Sequence, residues 1–378
     1  MRGCLRTLCV LVIACGAIAW SGAARAADRP RPAGSAVDQA LDVDVEEDGT
    51  VHLPAVTIPF STFASPQSGA TLLRVRKFFL ERFPKARTVA EQRNLYDEFL
   101  RPALERTKQL YPTDTVRVTL GGVRADLITP KPAVPARNRN RVIVNLHGGG
   151  FFYGAGVGGA LESMPLASLA KVKVVSVDYR EAPEFKYPAA SQDVAAVYRE
   201  LLKTYEPRNI GIYGCSAGGF LTAEATAWIA AQNLPRPGAI GIFCASAAGW
   251  SSGDSALLGQ LLVGVAPSRE SLGPPHPAVR NRVYFSDADF GDPLVAPIRS
   301  AAVLARFPPT LIITSTRDMA LSSAAYTHTQ LIKLGVEAEL HVWEGLAHGF
   351  FTLDPDIPES REVWDVVARF FDSHLGTD

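Results

Sequence analysis

Cysteine is scarce in this chain: five occur among 378 residues, and three of them, Cys4, Cys9 and Cys15, crowd near the start. Cys215 and Cys244 are left for the rest of the sequence, which excludes a disulfide-built scaffold and leaves stability to an apolar core. Charge of one sign is missing as well. The 38 Lys and Arg residues equal the 38 Asp and Glu residues, so the basic surplus that neutralises phosphates is absent and nucleic acid is an unsuitable partner. No apolar run reaches the roughly 20 residues that span a bilayer, so no transmembrane segment is expected. Neither a His-Glu-x-x-His motif nor a cysteine-histidine cluster occurs, and no metal or other cofactor is implied. What is present is 47% hydrophobic and 20% charged residues, the composition of a folded globular chain with length for a large core. Composition leaves homo-oligomerisation open.

The first 26 residues read as a signal peptide. Arg2 and Arg6 precede an apolar run from Leu8 to Trp20, and Ala24-Arg25-Ala26 supplies a small-x-small cleavage pattern. Cleavage is expected after Ala26, giving a secreted or periplasmic protein. Val12-Ile13-Ala14-Cys15 resembles a lipobox, but apolar residues continue past Cys15 where a lipoprotein should turn polar. Residues 27–56 read as a mobile leader. Its acids Asp42, Asp44, Glu46, Glu47 and Asp48 suggest a calcium loop, yet glycine falls at the eighth position rather than the sixth, so a solvated acidic tail is expected.

Residues 57–111 carry two helices. Leu72, Val75, Phe79 and Phe83 recur at helical spacing, and Thr88 with Glu91 forms a capping-box pair opening a second helix with Leu95, Phe99 and Leu110 on its apolar side. From residue 112 the period changes. Two alternating runs flank Gly121-Gly122 as a hairpin, and strand-like runs follow at 141–146, 172–177, 209–213, 239–245, 310–315 and 337–343, most separated by helical stretches such as 189–206, 217–232 and 320–334. An antiparallel start followed by alternating strand and helix predicts an α/β fold, a mostly parallel sheet covered on both faces, over 112–378. The interval 246–309 is too long for a simple connection and reads as an insertion above the sheet edge.

Gly214-Cys215-Ser216-Ala217-Gly218 follows the strand Ile210 to Tyr213 and opens a helix, the context in which a sharp turn exposes a serine hydroxyl. His147-Gly148-Gly149-Gly150 follows the apolar strand Val142 to Leu146, and bare backbone N–H groups there suit an oxyanion, with Ala217 N–H as a further donor. Gly154-x-Gly156-x-x-Gly159 with Asp178 imitates a dinucleotide fingerprint. In that motif the strand runs straight into the first glycine, whereas His147 to Tyr153 intervene here. A serine needs a base and the base an orienter. Among seven histidines His348 sits on a Gly-flanked loop after the last strand, and Asp318 follows the strand Leu311 to Thr314. Both project from the sheet edge where catalytic groups of open α/β sheets gather. For Asp318 alone, capping of the next helix is the competing role.

With these residues in view, the chain resembles an α/β-hydrolase of the hormone-sensitive-lipase-like family, the bacterial family IV esterases. The resemblance rests on His147 to Gly150, Asp178-Tyr179-Arg180-Glu181-Ala182-Pro183-Glu184, Tyr187-Pro188-Ala189-Ala190, Gly214 to Gly219, Asp318 and His348-Gly349-Phe350, and covers most of residues 70–375. It implies an eight-stranded sheet with a helical cap, Ser216 as nucleophile, His348 as base, Asp318 as acid, and Gly148, Gly149 and Ala217 as oxyanion donors. The implied substrate is a small-molecule ester. Three departures stand out: Cys215 where the family has Asp, Ser322 where it repeats an acid, and Glu181 where it has Leu. An acyltransferase uses the same serine chemistry, and a binding module on this fold would lack a triad member. The apolar residues Phe78, Phe79, Phe83, Leu95 and Phe99, together with Trp250, Leu257, Leu258, Leu261, Leu262 and Val263 of the insertion, are expected to roof the pocket and favour short or medium acyl esters or lactones over emulsified triglycerides.

Overall fold

Eight strands form one sheet, and their sequence sets their place in it. In the computed structural model, residues 44–47, 50–52, 55–249, 253–264 and 283–376 are described. The expected signal peptide with its cleavage site, most of the leader, Trp250 and His276 lie outside them. The chain divides into two units, Met1–Thr57 and Ile58–Asp378. Within the first, Asp44–Val45 pairs antiparallel with Val51–His52.

In the second unit the strands are β1 (Thr113–Leu120), β2 (Val123–Pro130), β3 (Val142–Leu146), β4 (Lys173–Val177), β5 (Ile210–Cys215), β6 (Ala239–Phe243), β7 (Thr310–Arg317) and β8 (Ala338–Ala347). Their spatial order is β8-β7-β6-β5-β3-β4-β2-β1. β1 and β2 form the expected hairpin over Gly121 and Gly122, both at positive φ (58° and 84°), which a two-residue turn of this hand requires. β2 joins β4 antiparallel, and the remaining pairings are parallel. Every residue of β3, β5 and β6 is buried, because helices cover both faces. Alternation then divides the core: Val142, Val144 and Leu146 join one apolar cluster and Ile143 joins the other.

The helices are α1 (Pro66–Lys77), α2 (Val89–Leu110), α3 (Val157–Ala170), α4 (Ala189–Leu201), α5 (Ala217–Ala231), α6 (Asp254–Leu262), α7 (Ala301–Leu304), α8 (Leu321–Lys333), α9 (Phe350–Leu353) and α10 (Pro358–His374). The first cluster packs under α4, α5 and α8, the second under α2, α3 and α10. Thr88 and Glu91 cap α2 reciprocally, as their spacing predicts. Leu110 departs from its expected face: it ends α2 and is exposed. The first predicted helix departs too. α1 stops at Lys77 and a five-residue π turn, Phe78–Arg82, follows. The wider turn shifts the face by about one residue, so Phe78 is buried and stacks on Phe99 with ring centroids 4.0 Å apart. α1 is moored to the body at its start, where Glu359 of α10 accepts from Ser65 N–H, Ser65 Oγ and Ser68 Oγ.

Phe83 and Tyr96 pack on Tyr153 of the loop after β3, while Leu258 and Leu261 of α6 face solvent.

Candidate active site

The turn between β5 and α5 is built by what glycine lacks. A Cβ at Gly214 or Gly218 would run into the Leu146 carbonyl, so only glycine lets β5 turn this tightly against β3. Between them Ser216 is held at φ 59°, ψ −120°, a strained backbone for a residue with a side chain. Its N–H is anchored on the Phe243 carbonyl at 2.8 Å. The strain turns its hydroxyl to the sheet edge, where Ser216 Oγ donates to His348 Nε2 at 2.8 Å. On the other side of the ring His348 Nδ1 donates to Asp318 Oδ1 at 2.7 Å.

Asp318 is fully buried, and three further groups hold it. Ala320 N–H donates to Oδ1 (2.9 Å) and Thr314 Oγ1 to Oδ2 (3.0 Å), while the Cys244 thiol also lies against it. Burial alone pushes the carboxyl up, but the His348 charge and the hydrogen bonds outweigh it and hold the carboxyl below the usual range. It therefore stays ionised and fixes the tautomer that leaves Nε2 free to accept from serine. The competing capping role is not what the structure has: α8 carries no side-chain cap, and Asp318 takes only the N–H of Ala320, the residue before the helix. Gly349, at φ 66°, turns the chain after His348 and donates its N–H to Cys244 Sγ at 3.3 Å.

Beside Ser216 the His147–Gly150 loop has its peptide units fixed one by one. Tyr179 OH donates to the His147 carbonyl (2.7 Å), and His147 Nδ1 donates to the Gly148 carbonyl (2.9 Å). Burial pushes the His147 ring down, so it is neutral. Gly148 departs from expectation: its N–H goes to Glu162 Oε1 at 2.8 Å. The Gly149 and Ala217 N–H groups have no acceptor among the described residues. Gly149, at φ 120°, has no room for a Cβ against the Tyr153 carbonyl.

Of the dinucleotide-like glycines, Gly154 serves this loop. A Cβ at Gly154 would strike the Gly148 carbonyl, α3 begins only at Val157, and Asp178 lies 3.2 Å from Arg124. Of the departures, Ser322 pairs with Ser255, and Glu181, partly buried, lies 4.0 Å from Arg93. Sequence reasoning missed Glu162, Thr314 and Cys244, none of which stands in a motif.

Residues 143–352 match the model of a family described by its alpha/beta hydrolase fold. The chain is similar to an esterase of Acinetobacter venetianus, 26% identical over 302 residues that cover 78% of this chain and 95% of that one. It is also similar to an acetyl-hydrolase of Streptomyces hygroscopicus, 27% identical over 263 residues covering 68% and 83%. Among solved structures, an esterase superposes with TM-score 0.73 at 30% identity, covering 86% of this chain and 99% of that one. An esterase of the bacterial hormone-sensitive lipase family superposes at 0.70 with 25% identity, covering 82% and 99%. The fold and the Ser-His-Asp geometry define an α/β-hydrolase. The chain belongs to this family, among the esterases of the hormone-sensitive-lipase-like branch, and it is an ester hydrolase.

Proposed function

We propose that the chain cleaves small carboxylic esters through an acyl-enzyme on Ser216. The continuous hydrogen-bonded line from Ser216 Oγ through His348 to buried Asp318 carries this reading. Ser216 Oγ attacks the ester carbonyl as His348 Nε2 takes its proton. His348 returns the proton to the leaving alcohol, and water repeats the sequence to release the acid. Asp318 holds the imidazole and balances the imidazolium. Gly149 and Ala217 N–H receive the oxyanion, each typically worth about 3 kcal/mol of transition-state stabilisation.

The α1–α2 helices, whose Phe83 and Tyr96 pack on Tyr153 beside the oxyanion loop, support short or medium acyl esters or lactones. We further assign residues 1–26 as an export signal and the mature protein to the periplasm or exterior; among the described residues no helix is long and apolar enough to cross a membrane. The test is a series of acetyl to octanoyl esters against long-chain triglyceride emulsions, with intact-mass detection of a phosphonate adduct on Ser216. Fastest turnover of short esters and one adduct are expected; faster turnover of emulsions contradicts the size assignment.

A further inference from the structure

Glu162 of α3 stands apart from the reacting atoms and yet is wired to them. It is 4% exposed, in the interior behind the His147–Gly150 loop. Its Oε1 accepts from Gly148 N–H at 2.8 Å and its Oε2 from Asn145 Nδ2 at 2.9 Å. Asn145 is itself held by Ser176 Oγ at 3.0 Å, and Tyr213 OH grips the Glu162 carbonyl at 2.8 Å. The carboxyl is thus a fixed post between β3, α3 and the loop.

The groups facing it are Tyr96 from α2, Tyr179 after β4, and Tyr213 and Cys215 from β5. All four are pushed up in pKa, so all are neutral. No cation is among them, and backbone and amide N–H groups are what oppose burial. Burial pushes the carboxyl up to about 7, against the hydrogen bonds from Gly148, Asn145 and Cys215. A costly buried acid beside a catalytic loop needs a use.

We propose that Glu162 is a positioning residue for ester hydrolysis: by holding Gly148 N–H it fixes the peptide plane that aims the next N–H, that of Gly149, at the oxyanion. The 147–148 peptide is clamped at both ends, its carbonyl by Tyr179 OH and its N–H by Glu162. With the Gly148 carbonyl tied to the His147 ring, the Gly149 N–H has one direction left. Glycine's wide backbone freedom makes this clamp necessary, since an unheld Gly-Gly-Gly run samples many orientations. A donor misplaced by about 1 Å loses on the order of 100-fold in rate.

This inference rests on the esterase reading, and the experiment separates the two. Wild type, Ser216→Ala, Glu162→Leu and Glu162→Gln are assayed on a short-chain p-nitrophenyl ester, with a trifluoromethyl ketone as inhibitor whose adduct carries the oxyanion. If wild type is inactive, or Ser216→Ala is as active as wild type, the esterase reading fails, and this inference with it. With that reading intact, Glu162→Leu lowers kcat about 10- to 100-fold, weakens the inhibitor by a similar factor and leaves KM within about threefold. Glu162→Gln, whose amide oxygen still accepts from Gly148 N–H once the Asn145 amide turns over, stays within about fivefold of wild type. Should Glu162→Leu fail to fold, Asn145→Ala, which loosens the post without removing it, shows the same kcat and inhibitor losses at smaller size. A folded Glu162→Leu enzyme with wild-type kcat and inhibitor affinity overturns the proposal. So does a Glu162→Gln enzyme impaired as much as Glu162→Leu, or an Asn145→Ala enzyme with wild-type values.

Discussion

Ser255 and Ser322 exchange hydrogen bonds: Ser322 N–H donates to Ser255 Oγ at 2.8 Å, and Ser255 N–H donates to Ser322 Oγ at 3.0 Å. Ser255 Oγ in turn donates to the Met319 carbonyl, one residue past Asp318. The pair therefore clasps α6 to the loop that carries the catalytic acid.

Removing either hydroxyl leaves a partly buried N–H without its acceptor. Ser322→Ala is expected to lower stability by about 1 kcal/mol. Ser255→Ala should cost a similar amount or more, because its hydroxyl also donates to the Met319 carbonyl, and the double variant should lose about the sum, since each variant keeps the backbone N–H that the other hydroxyl accepts from. Urea unfolding of the four proteins measures it, and wild-type stability in either single variant contradicts the clasp.

Asp318→Asn should cost on the order of 10⁴-fold in kcat through loss of the correct His348 tautomer, as in serine proteases. Asp354, another acid near the His348 loop, is bound to Arg74 at 3.1 Å and to Thr71 of α1. Asp354→Asn should hence stay near wild type in kcat. Steady-state kinetics of the two variants decide, and the reverse order of losses shows that the wrong carboxylate has been assigned.

Glu181 gives a pH dependence. Burial pushes its carboxyl up to about 8. Arg93 opposes this weakly, because its N–H groups already go to Glu184 and to the Phe152 and Ala182 carbonyls. An unfolded glutamate titrates near about 4.3, so between that pH and about 8 the folded chain keeps a proton that the unfolded chain releases. Stability attributable to this group is greatest below that window and falls as pH rises through it. Glu181→Leu should raise the melting temperature at pH ~9 more than at pH ~5; an equal change at both values refutes the assignment.

The thiols are expected to be inert. The Cys244 hydrogen bond pulls the Cys215 thiol down, but burial and the Glu162 and Asp318 charges leave it raised. Burial and the neighbouring Cys215 push Cys244 well up. Both are free and buried. Native protein should resist alkylation that proceeds readily after denaturation, and mass spectrometry without reductant should find no 215–244 link.

How much of this was legible beforehand depends on whether a feature is local. Ser216 announced itself because strand, sharp turn and helix are consecutive, and Asp318 and His348 because each follows a strand that ends at the same sheet edge. Glu162 could not be found that way. It lies mid-helix, 14 residues beyond the glycine whose N–H it takes, and only the fold makes them neighbours. The same contact removed Gly148 from the expected oxyanion donors. The π turn at Phe78 was hidden for another reason: Leu72, Val75, Phe79 and Phe83 fit an uninterrupted helix, and the preference for burying Phe78 against Phe99 is tertiary. α10 carried a readable signal that went unused, with Pro358 at its first turn and Val363, Trp364, Val367, Phe370 and Phe371 at helical spacing.

The most direct test of the account is the rate at which pure Ser216→Ala protein hydrolyses a short-chain p-nitrophenyl ester. Loss of several orders of magnitude in kcat, with a melting temperature near wild type, is the predicted result, because the hydroxyl serves the reaction and the fold does not depend on it. Hydrolysis by the variant at a rate comparable with wild type would contradict the account, since the bond to the acyl group would then form elsewhere.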